Sequence, residues 1–118
     1  MERRADGRVV LVRVEGELDL STVGVLAAGL DEGLAEATAS GVSLLVVDLG
    51  ATTFLGSVAM TRLIVARDDA AALGVDLGVV ASPGGIVARA LEVAGMNQVF
   101  PIERTLDWLL RVLPRPRS

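Results

Sequence analysis

Ser43-Leu44-Leu45-Val46-Val47-Asp48-Leu49 is an apolar run with a single carboxylate near its end. Alternating polar and apolar residues mark a strand with one wet face, whereas a continuous run marks a strand covered on both. Asp48 and Gly50 close the run, and a loop over Gly50–Gly56 leads into a helical pattern from about Ser57 to Leu73, which Gly74 stops. A strand covered on both faces and followed at once by a helix is the repeating step of an α/β domain.

The same step recurs on either side. Upstream, Arg8–Val14 is β-branched and reads as a strand, ended by Glu15-Gly16-Glu17-Leu18-Asp19. Ser21 or Thr22 then caps a helix to about Ala39, with Val23, Leu26, Ala27, Leu30 and Leu34 as its apolar stripe and Gly41 as its stop. Downstream, Val75–Ala81 reads as a strand. Ser82-Pro83 supplies an N-cap and a first-turn proline for a helix over Ile86–Ala94, stopped by Gly95. Val99–Ile102 is a short strand, and Thr105–Leu113 is a last helix ended by Pro114.

The order β-α-β-α-β-α-β-α predicts one α/β domain over residues 1–118, with a mostly parallel sheet of four to five strands and about four helices. Its core spans about residues 8–113, with flexible ends at 1–7 and 114–118. Met1–Gly7 is too short and too charged to form an edge strand, leaving the neighbouring strand open. Sites in such sheets favour the carboxyl ends of strands, here Glu15–Ser21, Gly50–Ser57 and Ala81–Ile86.

The absent residue types narrow the chemistry. The 118 residues include no Cys, His, Tyr or Lys, which removes Cys/His zinc sites, disulfides, Ser–His and Cys–His dyads and Schiff-base lysines. Carboxylate-only chemistry such as glycoside hydrolysis usually needs an aromatic-lined cleft, and there are one Trp and two Phe. The expectation is a protein that is not an enzyme, with no catalytic residue, no metal and no cofactor. Asp68-Asp69 reads as a solvated helix face, and Gly84-Gly85 lacks the Gly-Lys-Ser/Thr continuation of a phosphate loop. A net charge of −4 with dispersed arginines argues against nucleic acid as a partner. Without a membrane span or a signal-peptide pattern, the expectation is a cytoplasmic protein with no membrane partner. Arginine in place of every lysine, with abundant Ala, Val and Gly, hints at a GC-rich bacterial genome.

Leu44–Leu49 followed by Phe54-Leu55-Gly56-Ser57-Val58-Ala59-Met60 resembles the STAS family of anti-sigma factor antagonists, in which an apolar strand ending in Asp-Leu precedes an aromatic-aliphatic-Asp-Ser-Ser-Gly-Leu motif at a helix start. Val14-Glu15-Gly16-Glu17-Leu18-Asp19 is similar to the family's Gly-x-Leu/Ile-Asp turn. Ser82-Pro83, Val87, Leu91, Ala94-Gly95-Met96 and Phe100-Pro101-Ile102 match its third helix and last strand, so the likeness covers about Arg8 to Ile102. It implies a protein that binds an anti-sigma factor, itself a histidine-kinase-like serine kinase, and so frees a sigma factor for transcription. The kinase phosphorylates the first motif serine, here Ser57, the complex dissociates, and a serine phosphatase reverses the mark.

Gly56 stands where the family usually has Asp, Val58 where it often has Ser, and Ala59 where it has Gly. Gly56 keeps a tight turn permissive. Serine is also among the commonest helix N-caps, so Ser57 has a purely structural reading beside the regulatory one. On the helix that follows, Ala59, Leu63, Ala66, Ala70 and Leu73 can face the sheet with Met60 and Ile64 at the flank. Val58, Thr61, Arg62 and Val65 then share another face and form a candidate partner patch, with scattered surface apolars as the plain reading. Asp19, Phe54 and Gly56 complete the candidate partner-binding set, although Asp19 reads first as a turn residue. The alternatives are a non-phosphorylated interaction module, a nucleotide-sensing module and a subunit of a stress-signalling scaffold. The expected state is a monomer or weak homodimer.

Overall fold

The computed structural model describes residues 8–113 and the backbone of residues 2–5. Elements follow in the order β1 (Glu2–Ala5), β2 (Val10–Arg13), β3 (Gly16–Leu18), α1 (Val23–Ser40), β4 (Leu44–Asp48), β5 (Thr52–Leu55), α2 (Ser57–Ala72), β6 (Asp76–Val80), α3 (Ile86–Val93), β7 (Ile102–Glu103) and α4 (Leu106–Leu110), with one 3₁₀ turn at Met96–Gln98. The main sheet has five strands in the order β1-β2-β4-β6-β7. β1 is antiparallel to β2, and the remaining neighbours are parallel.

The continuous run at β4 becomes the centre of the sheet, with Leu44, Leu45, Val46 and Val47 all fully buried. Its side chains divide between two cores. Leu45 and Val47 join Val10, Val12, Leu77 and Val79 beneath α1, α2 and α3. Leu44 and Val46 join Val9 and Val80 beneath α4, whose Leu109 is fully buried. Opposite faces of one strand are thus covered by different helices.

Gly33 sets how closely α1 approaches. A Cβ there would lie 2.7 Å from Val12 Cγ2 and 3.0 Å from Leu45 Cδ1, so no larger side chain fits without separating helix from sheet.

Four expectations need correction. Glu2–Ala5 does form an edge strand, in register Glu2↔Arg13 to Ala5↔Val10. An edge strand pairs on one side only, and charge there is tolerated and discourages further pairing. The presumed loop at Gly50–Gly56 contains β5, and the presumed turn at Glu15–Asp19 contains β3; the two pair in parallel as a separate ribbon. Ser82 and Pro83 do not open α3. The chain first turns through Gly84 at φ +75°, the Gly85 N–H donates to the Ser82 carbonyl at 3.2 Å, and Gly85 is the N-cap. The last strand is only Ile102–Glu103, because Met96–Gln98 coils before it. The 114–118 end and residues 1, 6 and 7 lie outside the described residues.

Gly33→Val should therefore destabilise the domain by about 2 kcal/mol. Urea denaturation of the two proteins measures this, and an unchanged midpoint would mean that α1 has room to move away.

Candidate functional site

Two chain segments are brought to one edge because the parallel pair β2–β4 does not end where the main sheet does. The Val14 N–H donates to the Asp48 carbonyl at 3.1 Å, extending the pair. Both chains then bend. Gly16 takes φ +83°, which favours glycine, and the Asp48 carboxylate accepts the Gly50 N–H at 2.8 Å. Beyond the bend the chains pair again as β3–β5. Buried Thr52 donates its hydroxyl to the Val14 carbonyl at 2.8 Å, tying ribbon to sheet. At the far end the Gly56 N–H donates to the Leu18 carbonyl at 2.9 Å, which sets the start of α2 beside the turn before α1.

That turn is organised by Asp19. Its Oδ1 accepts the Ser21 N–H at 3.0 Å, the Ser21 hydroxyl at 2.7 Å and the Thr22 N–H at 3.2 Å. The Asp19 carbonyl accepts the Val23 N–H at 2.8 Å, and the Thr22 hydroxyl donates to the Glu17 carbonyl at 2.7 Å. Thr22 stands at the N-cap position of α1 but makes no side-chain cap bond. The Asp19 carboxylate, three residues earlier, satisfies the Thr22 N–H instead. The Ser21 hydroxyl is the main reason that the Asp19 pKa is lowered from 3.8; the Thr22 and backbone bonds act in the same direction, and desolvation opposes them.

At the start of α2 the N-cap is Gly56, at φ −80° and ψ 168°, and Ser57 is the first helical residue. Ser57 is therefore not a capping side chain: the cap position carries no side-chain bond. Its hydroxyl is exposed and without a hydrogen-bond partner among the described residues. The Gly56 carbonyl already takes the Ala59 and Met60 N–H groups at 3.1 and 3.2 Å, leaving those of Ser57 and Val58 as the first-turn donors without an intrahelical acceptor. Glycine is not demanded at position 56 by backbone angle, which corrects the expectation of a permissive tight turn. The position is merely close: a Cβ would sit 3.3 Å from the Leu18 carbonyl oxygen and 3.4 Å from Phe54 Cε2.

The helical face singled out from the sequence is present. Ala59, Leu63, Ala66 and Ala70 are buried, while Val58, Thr61 and Val65 are exposed on the other side; Leu73, expected to face the sheet, is 56% exposed. Val58, Thr61 and Val65 form one wall of a shallow apolar groove whose other wall is Val23, Gly24 and Ala27 of α1. Arg62 crosses between the helices to Asp31, Nη2 to Oδ1 at 2.7 Å, with its Nη1 buried and unpaired. Asp31 is largely exposed, so this pair adds little stability. It holds Arg62 along the groove.

Asp19, Phe54, Gly56 and Ser57 thus meet at the ribbon end, and Val58, Thr61, Arg62 and Val65 continue from them along α2. Two parts were missed from the sequence. Val23 and Ala27 were assigned to the core stripe; Val23 does pack against the core, but both are half-buried at the margin of the face formed by Leu26, Leu30, Gly33 and Ala37 and also line the groove. Leu20, at the tip of the Asp19 turn, is 78% exposed and extends the apolar edge. Among the described residues no cluster of acidic side chains is placed to hold a metal ion, and no helix is long and apolar enough to cross a membrane.

A sheet capped by helices, with a paired ribbon carrying an exposed serine to a helix start, is the arrangement of a STAS domain. The family model for the STAS domain matches residues 1–108, and the chain belongs to that family, among its anti-sigma factor antagonists. It is 35% identical over 98 residues to the anti-sigma-F factor antagonist RsfB of Mycobacterium tuberculosis, covering 83% of this chain and 75% of that one. It superposes on the crystal structure of an anti-sigma factor antagonist from Mycobacterium paratuberculosis with a TM-score of 0.82 and 29% identity, over 95% of this chain and 91% of the other. The fold also matches that of the Bacillus antagonist SpoIIAA in its unphosphorylated form, with a TM-score of 0.72, 15% identity, and 98% of each chain covered.

The Asp19 turn has a pH consequence. A carboxyl whose pKa is lowered on folding stabilises the folded state above its unfolded value of 3.8, and that contribution is lost as pH falls through the lower folded value. NMR titration should give a midpoint for Asp19 below 3.8 that rises in Ser21→Ala. A midpoint unmoved by that substitution would remove the Ser21 hydroxyl as its cause.

Proposed function

We propose that this protein binds an anti-sigma factor through the edge formed by the Asp19 turn, Phe54 and the start of α2, and that Ser57 is the residue by which that binding is switched. The partner is a histidine-kinase-like serine kinase; capturing it frees a sigma factor in the cytoplasm. The observation that carries the reading is the position of Ser57: exposed, first in its helix, its hydroxyl without a partner among the described residues (its carbonyl accepts the Thr61 hydroxyl at 3.0 Å), and contiguous with an apolar groove.

An apolar groove with exposed valines on one wall gives a partner surface to cover, with burial of each valine favouring association. A hydroxyl at the first helical position accepts a phosphoryl group at little cost to the fold, since the first-turn N–H groups and the helix dipole favour an anion there. The same group, carrying roughly −1.5 to −2 charges, would confront a closely packed partner with a solvated anion. Asp19 lies beside it, its Cα 3.8 Å from where a Cβ of residue 56 would be, and adds to the negative potential. Domain stability and partner affinity are thereby uncoupled. A serine phosphatase completes the cycle.

A second reading is favoured by one observation. Gly56 adopts a backbone that any residue can adopt, so the carboxylate usual in the family is missing with no conformational reason. A kinase that requires that carboxylate would leave Ser57 unmodified, and the protein would be a constitutive antagonist.

Incubation with the cognate anti-sigma factor and ATP, followed by mass spectrometry, should place phosphate on Ser57. Tight binding with Ser57 unmodified would select the constitutive reading. In calorimetry Ser57→Asp should weaken binding by about 1 to 3 kcal/mol, the scale of an uncompensated charge at an interface, and Val65→Arg should weaken it too. Affinities unchanged in both variants would move the interface elsewhere.

A further inference from the structure

Two paired chains cannot bend out of a parallel sheet without giving up a ladder bond, and here two side chains replace the bond that is lost. The Val14 N–H donates to the Asp48 carbonyl at 3.1 Å, so an unbroken ladder would next bring the Gly50 N–H to the Val14 carbonyl. That bond is not made. The Asp48 carboxylate accepts the Gly50 N–H at 2.8 Å, and the Thr52 hydroxyl donates to the Val14 carbonyl at 2.8 Å. The exchange falls where the register changes. Paired residues differ by 35 positions at Arg13↔Asp48, by 36 at Gly16↔Thr52 and by 37 at Glu17↔Phe54. Across the bend, the chain that leads to α2 thus holds two residues more than its neighbour. Each extra residue is a bulge that turns the following side chains to the other face, and the second restores the alternation. Leu18 and Leu55 pair with both side chains buried, and Phe54 is exposed.

We infer that Asp48 and Thr52 are positioning residues for the partner-binding edge: by holding the bulged register they fix where Phe54 and Ser57 stand, without touching the partner. This rests on the proposed function for what the edge binds. Thr52 is buried, and Asp48 follows Leu44 and Val46 on the strand face that α4 covers, opposite the helices that form the groove. Loss of either extra residue from the bend would set Phe54 against Leu18 in place of Leu55. It would also move the start of α2 by one residue, about 3.3 Å. Phe54 and Leu55 are both large and apolar, and apolar burial is non-directional, so burial alone separates the two registers poorly. The Asp48 and Thr52 bonds are directional and leave a buried carbonyl unpaired when broken, so they select one register.

Exchange of the Gly56 amide, which donates to the Leu18 carbonyl, reads the register, and affinity for the cognate anti-sigma factor reads its consequence. In Thr52→Val and in Asp48→Ala the Gly56 amide should exchange faster while the amides of β4 and β6 stay protected. Binding should weaken about tenfold, as when about one molecule in ten holds the competent register. Thr52→Ser and Asp48→Asn, which keep a hydroxyl donor and a carbonyl acceptor, should restore both. Measured well below the unfolding midpoint, lower global stability by itself moves neither. Should Thr52→Val not fold, Asp48→Ala, at a half-buried position, carries the test. Unchanged Gly56 exchange in the variants, or faster exchange with unchanged affinity, would overturn the inference. Absence of binding by the unaltered protein would instead contradict the proposed function, and exchange at Gly56 would still decide whether Asp48 and Thr52 hold the register.

Discussion

The continued pairing of two parallel chains through a shared bend governs the rest of this molecule. β2 and β4 belong to the main sheet, yet their hydrogen bonds do not stop at its margin. They resume as β3 from Gly16 and as β5 beyond Gly50, and Thr52 holds the bend by donating to Val14. Because the pairing is maintained to Leu18 and Gly56, the turn before α1 and the start of α2 cannot separate. Every feature of the proposed site inherits its position from that constraint: the exposed serine, the Asp19 turn beside it, and the two walls of the groove.

The sequence made the body of this fold legible where burial is complete and long-range. The run at 43–49 could only be a central strand, and the helices that cover it carry Gly stops and apolar stripes. Legibility failed where structure depends on few residues. β1 and β3 are short and contain charged residues, β5 is short and rich in threonine, and they are strands because a neighbouring chain offers hydrogen bonds, not because of their own pattern. Ser82-Pro83 carried a cap signature that Gly84 displaced, since a positive φ there inserts one more turn before the helix. At the site, the face of α2 was readable by its period, but the facing wall on α1 was not. Half-buried Val23 and Ala27 have the same spacing as core residues, and only the packing of two helices distinguishes them.

In the proposed function, binding and switching rest on different residues. The groove is formed by Val58, Thr61 and Val65 against Val23, Gly24 and Ala27, none of which carries formal charge, and Arg62 is held along it by Asp31. The proposed charge control centres on Ser57 and Asp19. Gly56 lies between them without a side chain, so the negative charge at this edge comes from Asp19 together with Glu15 and Glu17 of the adjoining ribbon. On that proposal, a missing carboxylate at 56 changes what a kinase can recognise while leaving what a partner can cover.

The central claim is that the partner covers the ribbon end and the α1–α2 groove. Hydrogen exchange of the free protein and of its complex with the cognate anti-sigma factor tests it directly, because exchange reports local opening amide by amide. Binding should slow exchange at residues 18–24 and 54–65 and leave β7 and α4 unchanged. Protection confined to β7 and α4, with the Ser57 edge exchanging as in the free protein, would contradict the account.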